Sequence, residues 1–159
     1  MACFKVGLFW QGLVHDLSKY SPIEFFASAR NFQGNKSPVD AEKEKNGYSI
    51  AWMNHKATNK HHWQYWLDNK GNMIYPIEMP IKYVKEMLCD WIGAGKAYNK
   101  GNWTHETIKK WWLQNESKMI LETKTYILVG YCMTAQSEAE LYKKIRSLKY
   151  EKTHKLLFG

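Results

Sequence analysis

Leu13-Val14-His15-Asp16-Leu17-Ser18-Lys19-Tyr20-Ser21-Pro22-Ile23-Glu24-Phe25 is the stretch from which the rest of the chain is read. Its first half puts His15, Asp16 and, four residues after the histidine, Lys19 within about one helical turn. These are a neutral nitrogen donor, a hard anionic oxygen and a cation, the groups that a divalent ion bound to phosphate requires. Its second half opens a helix: Ser21 stands at the N-cap, Pro22 at the first helical position and Glu24 at the third. That helix should run to about Asn31.

Helical signals continue on both sides. Residues 4–19 read as a helix or helical turn carrying His15-Asp16, interrupted by Gly7 and Gly12. Gln33-Gly34-Asn35-Lys36 is a loop, and Ser37-Pro38-Val39-Asp40 repeats the helix-start pattern. From Ile50 a helix presents Trp52, His55, Asn59 and His62 on one face. On that helix His55 and His62 lie within roughly 20° of each other, which makes His62, rather than His61, the inward member of the pair. Tyr65-Trp66-Leu67, then Asp68-Asn69-Lys70-Gly71, then Asn72-Met73-Ile74-Tyr75 reads as a small hairpin with Gly71 as the left-handed turn residue. Pro80 opens a long helix through Tyr98, and Glu86 and Asp90 share one of its faces at i, i+4. Thr104 begins another, with Trp111 and Trp112. Tyr126–Tyr131 reads as strand or buried helix, since a short apolar run does not discriminate. Ser137-Glu138-Ala139-Glu140 caps a final basic amphipathic helix to about Tyr150. The fold class expected is all-α: a mainly helical single domain over 1–159, with a small β-hairpin near 65–75. A less legible C-terminal region, 116–159, packs on it.

The 159 residues suit one domain with a core that needs no disulfide or structural metal. Cys3, Cys89 and Cys132 are widely spaced and odd in number, which fits a reducing cytoplasm and excludes a disulfide framework or zinc ribbon. No apolar stretch approaches the roughly 18 residues of a membrane span. A soluble, cytoplasmic protein is expected. The net charge of +8 favours phosphate-bearing partners, nucleotide or nucleic acid. Eight tryptophans and ten tyrosines imply an aromatic-rich interior. Trp52, Trp63, Trp66, Trp91, Trp103, Trp111 and Trp112 are accordingly expected in helix packing, ahead of a base-stacking role.

Taken singly, each histidine or carboxylate is better explained as a satisfied core or surface residue. Taken in order, His15-Asp16, His55, His61-His62 and Asp90 put ligand-capable side chains on three helices, and buried groups of that kind need partners that a shared cation supplies. The candidate metal ligands are His15, Asp16, His55, His61, His62 and Asp90. The candidate catalytic residues are Asp16, Lys19 and Glu86, with Glu86 and Glu24 also placed to support the ligands.

His15-Asp16 with Lys19 at the fourth position, followed by Asp90, resembles the defining pattern of the HD-domain superfamily. The closer likeness is to a bacterial and phage branch carrying His15-Asp16-Leu17-Ser18-Lys19-Tyr20-Ser21-Pro22-Ile23-Glu24-Phe25, then His55-x-x-x-Asn59-x-His61-His62-x-x-Tyr65-Trp66, then Met79-Pro80 and Glu86-x-x-x-Asp90-Trp91. It covers about residues 4–115. The resemblance implies an all-α fold, one or two divalent cations (manganese, magnesium, iron, nickel or zinc) and hydrolysis of a nucleotide or other small phosphate ester. It makes His15, Asp16 and Asp90 metal ligands, has His55 with His61 or His62 complete the site or support a second cation, and puts Lys19 near the substrate phosphate. The superfamily's first metal histidine lies on a helix upstream of the pair, and here no histidine precedes His15. The alternative is therefore a degenerate HD-like module that binds a nucleotide, nucleic acid or protein, in a phage setting as an interference or regulatory protein. A homo-oligomer joined through Trp111, Trp112 and the last helix is compatible with either.

Overall fold

The long helix Ile81–Tyr98 organises the molecule. Its buried residues Val84, Met87, Leu88 and Ile92 recur at helical spacing on the face turned to the core. The computed structural model describes residues 1–34, 36–99 and 101–150. Within them run nine α-helices: α1 Ala2–Lys5, α2 Phe9–Val14, α3 Pro22–Arg30, α4 Pro38–Asn46, α5 Ile50–Thr58, α6 Ile81–Tyr98, α7 His105–Asn115, α8 Thr123–Met133 and α9 Glu138–Arg146. A two-stranded antiparallel hairpin, β1 Leu67–Lys70 and β2 Met73–Pro76, interrupts the series. The chain is thus mainly α with a small hairpin. Asn35, in the expected 33–36 loop, lies outside the described residues.

The apolar core is built by α6 with the C-terminal half. Ile108 and Trp112 of α7, Leu128, Val129 and Cys132 of α8, Leu141 and Ile145 of α9, and Leu148 close around it. Cys3 and Val6 enter from the N-terminus, where Arg146 donates to the Lys5 carbonyl. Residues 116–150 therefore supply core through α8 and α9, 151–159 of the expected C-terminal region lying outside the described residues, and the ambiguous run 126–131 is helix that buries Leu128 and Val129. The α3–α5 side is organised differently. Its buried residues are mainly polar (Glu24, Glu42, Ser49, His55 and Asn59), with Ala41 and Ala51. Ser49 donates to Glu42, and Asn54 Nδ2 donates to Glu24 at 2.8 Å.

Several local expectations are corrected. Residues 4–19 form two short helices and a 3-10 turn, Leu17–Tyr20, rather than one element. The break falls at Gly7, whose φ of 84° is left-handed. The hairpin turns over Gly71-Asn72, with Lys70 opposite Met73, so Asp68–Lys70 lie in a strand and Tyr65 and Trp66 in the preceding 3-10 turn Trp63–Trp66. The last helix stops at Arg146, short of Tyr150. No described helix is long and apolar enough to cross a membrane.

Candidate metal centre

The segment joining α2 to its 3-10 turn, the first turn of α3, the end of α5 with the residues just after it, and the middle of α6 converge on one group of imidazoles and carboxylates. Among the described residues one ligand atom each from His55, His61 and His62 lie within 4.8 Å of one another, and the same holds for His15, Asp16 and Asp90. Donor atoms about 2.1 Å from a cation stand at most about 4.2 Å apart. Three donors around one cation stand closer still, about 3.0–3.6 Å apart, so a bound ion would draw either group together. The groups adjoin: Asp16 Oδ1 is 3.6 Å from His55 Nε2, and the His15 and His61 ring centroids are 6.0 Å apart. Every ligand candidate read from the sequence is thus brought together.

The imidazoles are oriented from behind. His15 Nδ1 lies 3.2 Å from the Gly12 carbonyl, which can only accept, so Nδ1 carries the proton and Nε2 is left for the site. His55 Nδ1 stands 2.9 Å from Glu24 Oε2, and its Nε2 faces Asp16. His61 Nδ1 stands 3.4 Å from Glu86 Oε1, and its Nε2 is buried with no hydrogen-bond partner. Metal-ligating histidines are held in this way, with one ring nitrogen anchored to a carboxylate or carbonyl. His62 Nε2, Asp16 Oδ1 and Glu86 Oε2 are likewise buried without a hydrogen-bond partner. A cation fits this set of unsatisfied nitrogen and oxygen donors, since burying them unpartnered is costly.

The sequence reading erred on the His61–His62 pair. α5 ends at Thr58, and Asn59 takes an extended conformation at its C-cap (φ −103°, ψ 111°), so helical angles do not continue to residue 62. Both histidines turn inward, and His61, 1% exposed, is the more buried. Glu86 sits behind His61, 4% exposed, instead of facing a substrate. Glu24 is both the third residue of its helix and the neighbour of His55. Ser21 Oγ caps the Glu24 N–H, but the Glu24 carboxylate turns into the molecule toward His55 and Asn54. Of two further partners, Ser18 carried no sequence signal of its own, whereas Trp52 shares the face on which the sequence puts His55. Ser18 Oγ receives Asn59 Nδ2 at 2.6 Å and lies 3.1 Å from His55 Nδ1. Trp52 stacks on His55 and meets His62 edge-on, with centroids 5.7 and 5.0 Å apart.

Charge is distributed unevenly across the site. Burial raises the Asp16 carboxyl, but Lys19, whose ammonium is 2.5 Å from Oδ2, together with His15 and His55, outweighs it and holds Asp16 below the usual carboxylate range. Burial pushes Asp90 up, assisted by the charge of Asp16. Burial lowers His61, but Glu86, Asp90 and Asp16 raise it above the ordinary histidine value. Burial, then His61 and His55, drive His62 down to about 2.

The group forms part of the floor of a cleft of about 1170 Å³ between α3–α5 on one side and α6–α7 on the other. Asp16, Lys19, His55, His62 and Asp90 line it. Trp52, Trp63, Trp91 and Trp111 line its walls and are half-buried or exposed; Trp63 and Trp91, like Trp66, also pack against the core as expected, and Trp103 and Trp112 are buried.

Residues 1–147 match the model of DUF5662, a family of unknown function. The chain belongs to this family. The matched span contains all six candidate ligands together with Lys19, Glu24 and Glu86, so the whole centre lies inside what defines the family. No curated protein sequence and no solved structure matches the chain.

Proposed function

We propose that the protein is a divalent-metal-dependent phosphohydrolase whose substrate is a nucleotide or another phosphate ester entering through the cleft. The observation that carries this reading is the set of imidazoles anchored through Nδ1 with Nε2 left to a shared space beside two carboxylates. His15, Asp16 and Asp90 would hold one cation, and His55, His61 and His62 a second, with Asp16 between them. The HD-domain likeness of His15-Asp16 and Asp90 supports the same ligands. It leaves the first group one histidine short, a position that water would fill beside His15, Asp16 and Asp90. A bound cation would polarise the phosphate and bring the pKa of water toward neutrality.

The chain's own residues do the rest. Lys19 extends from the Asp16 carboxylate with its side chain 61% exposed, placed to offset charge on a phosphoryl group at the cleft floor. Asp16 orients the incoming water. The water oxygen bonds to phosphorus, the ester P–O bond breaks, and the proton passes to the departing alkoxide. Glu24 and Glu86 fix the tautomers of His55 and His61 and do not touch substrate.

The test is a screen of phosphate esters with manganese in the buffer. Turnover in the wild type that falls by at least about a thousandfold in Asp16→Ala, with helical circular dichroism unchanged, is expected. Full turnover in Asp16→Ala contradicts the mechanism, as does the absence of turnover across nucleotides and simple esters in a metal-loaded protein.

A further inference from the structure

The cleft holds more accessible aromatic surface than one phosphate ester can use. Phe25, Phe32 and Trp52 line it on the α3–α5 side, and Trp91, Tyr98 and Trp111 on the α6–α7 side. Phe32, Tyr98 and Phe25 stand open to solvent, 70%, 73% and 51% exposed, while Trp52 and Trp91 are half-buried. Small residues, Ser28 and Ala29 on one wall and Ala94 on the other, line the space between them. The volume of about 1170 Å³ exceeds the roughly 300–1,000 Å³ of ordinary small-molecule pockets.

Cations accompany the rings. The Lys43 and Lys56 ammonium groups lie 5.6 and 5.8 Å from the Trp52 ring centroid. Lys118 lines the α7 side beside Asn115, and Lys19 stands at the floor. Of the acidic groups in the cleft, Asp40 is 3.7 Å from Lys43, while Asp16, Glu24 and Asp90 belong to the candidate metal centre. The chain as a whole carries +8. Aromatic faces interleaved with cations in an open groove suit a polyanion with exposed planar rings. A duplex hides the faces of its bases, and a free nucleotide would engage one ring or one pair. An apolar peptide or lipid would have no use for the lysines.

We propose that the cleft binds a single-stranded nucleic acid, with two or more unpaired bases stacked on the rings of its walls and the backbone following Lys43 and Lys118. One phosphate of the strand then reaches Lys19. That last placement rests on the phosphohydrolase reading, whereas the stacking does not.

Quenching of tryptophan fluorescence by oligodeoxythymidylates of one to six nucleotides tests this, in EDTA so that no turnover occurs, with oligouridylates as a parallel series. Affinity should rise about fivefold or more for each of the first added bases and fall steeply with salt. Phe32→Ala and Tyr98→Ala, both at exposed positions, should each flatten the length dependence. Either series behaving so supports the proposal, and the tighter one tells whether ribose or deoxyribose is preferred. A mononucleotide that binds as tightly as the hexamer in both series overturns it. So does a gain with length that survives both substitutions. Length-dependent binding by a protein that takes up no metal would sink the phosphohydrolase reading alone, and metal-dependent turnover of mononucleotides with flat length series would sink this one alone.

Discussion

At the level of single residues, the centre works by division of labour among histidines. His15, His55 and His61 each give Nδ1 to an acceptor behind them, and the acceptors are different: a helical carbonyl, Glu24 and Glu86. Glu24→Gln keeps the shape but removes the anionic acceptor for His55. It should weaken metal binding by about ten- to a hundredfold with little change in the melting temperature of the metal-free protein, and unchanged affinity in a competition assay with a chelating dye would contradict the assignment. His62 presents a neutral ring. Its folded value of about 2 lies below the roughly 6.5 of an unfolded histidine. As pH falls below about 6.5 the unfolded chain takes up a proton that the folded His62 refuses, so stability present above that pH is lost progressively toward pH 2. In NMR of the EDTA-treated protein the His62 ring should remain neutral down to pH 4, and a His62 resonance titrating between pH 5 and 8 would contradict this. The residue types and their order were legible in the sequence. The orientation of His61 was not, because it depends on where α5 ends; Glu24 was legible as a helix start and as a support for the ligands, but which histidine it meets was not.

At the level of elements, α6 serves two sides, with Val84, Leu88 and Ile92 toward the core and Asp90 toward the cleft. Its Gly95 admits Trp103 closely: a Cβ there would lie 2.7 Å from the indole Nε1 and 2.9 Å from Cδ1. Gly95→Ala should therefore destabilise the protein by about 1–3 kcal/mol, despite the better helix propensity of alanine, and a urea midpoint at or above that of the wild type would contradict this packing. Beyond α9, Tyr150 donates to the Met79 carbonyl, and burial pushes its phenol up to about 12. Between pH 10 and 12 the unfolded chain loses a phenolic proton that the folded state keeps, so stability falls as pH rises through that window. Tyr150→Phe should make the fall shallower in thermal melts at pH 10 to 12; an equally steep fall would contradict the assignment. Caps and periodicity made α3, α4, α6, α7 and α9 readable. The division of residues 4–19 was not, since the positive φ of Gly7 breaks a pattern whose apolar residues run on unchanged.

At the level of the whole molecule, an apolar core of α1 and α6–α9 faces a polar-centred α3–α5 side, and the imidazole and carboxylate group lies where they meet. A mainly α fold was legible because helix signals recur along the chain. The cleft was not, because tryptophans that line a cavity and tryptophans that fill a core look alike in sequence. Metal content bears most directly on the account: elemental analysis of the purified protein after manganese reconstitution, beside His15→Ala/Asp16→Ala. One to two equivalents of divalent metal per chain are expected in the wild type, with loss of at least one in the variant and both remaining helical by circular dichroism. No metal in the wild type, or the same stoichiometry in both, would contradict it.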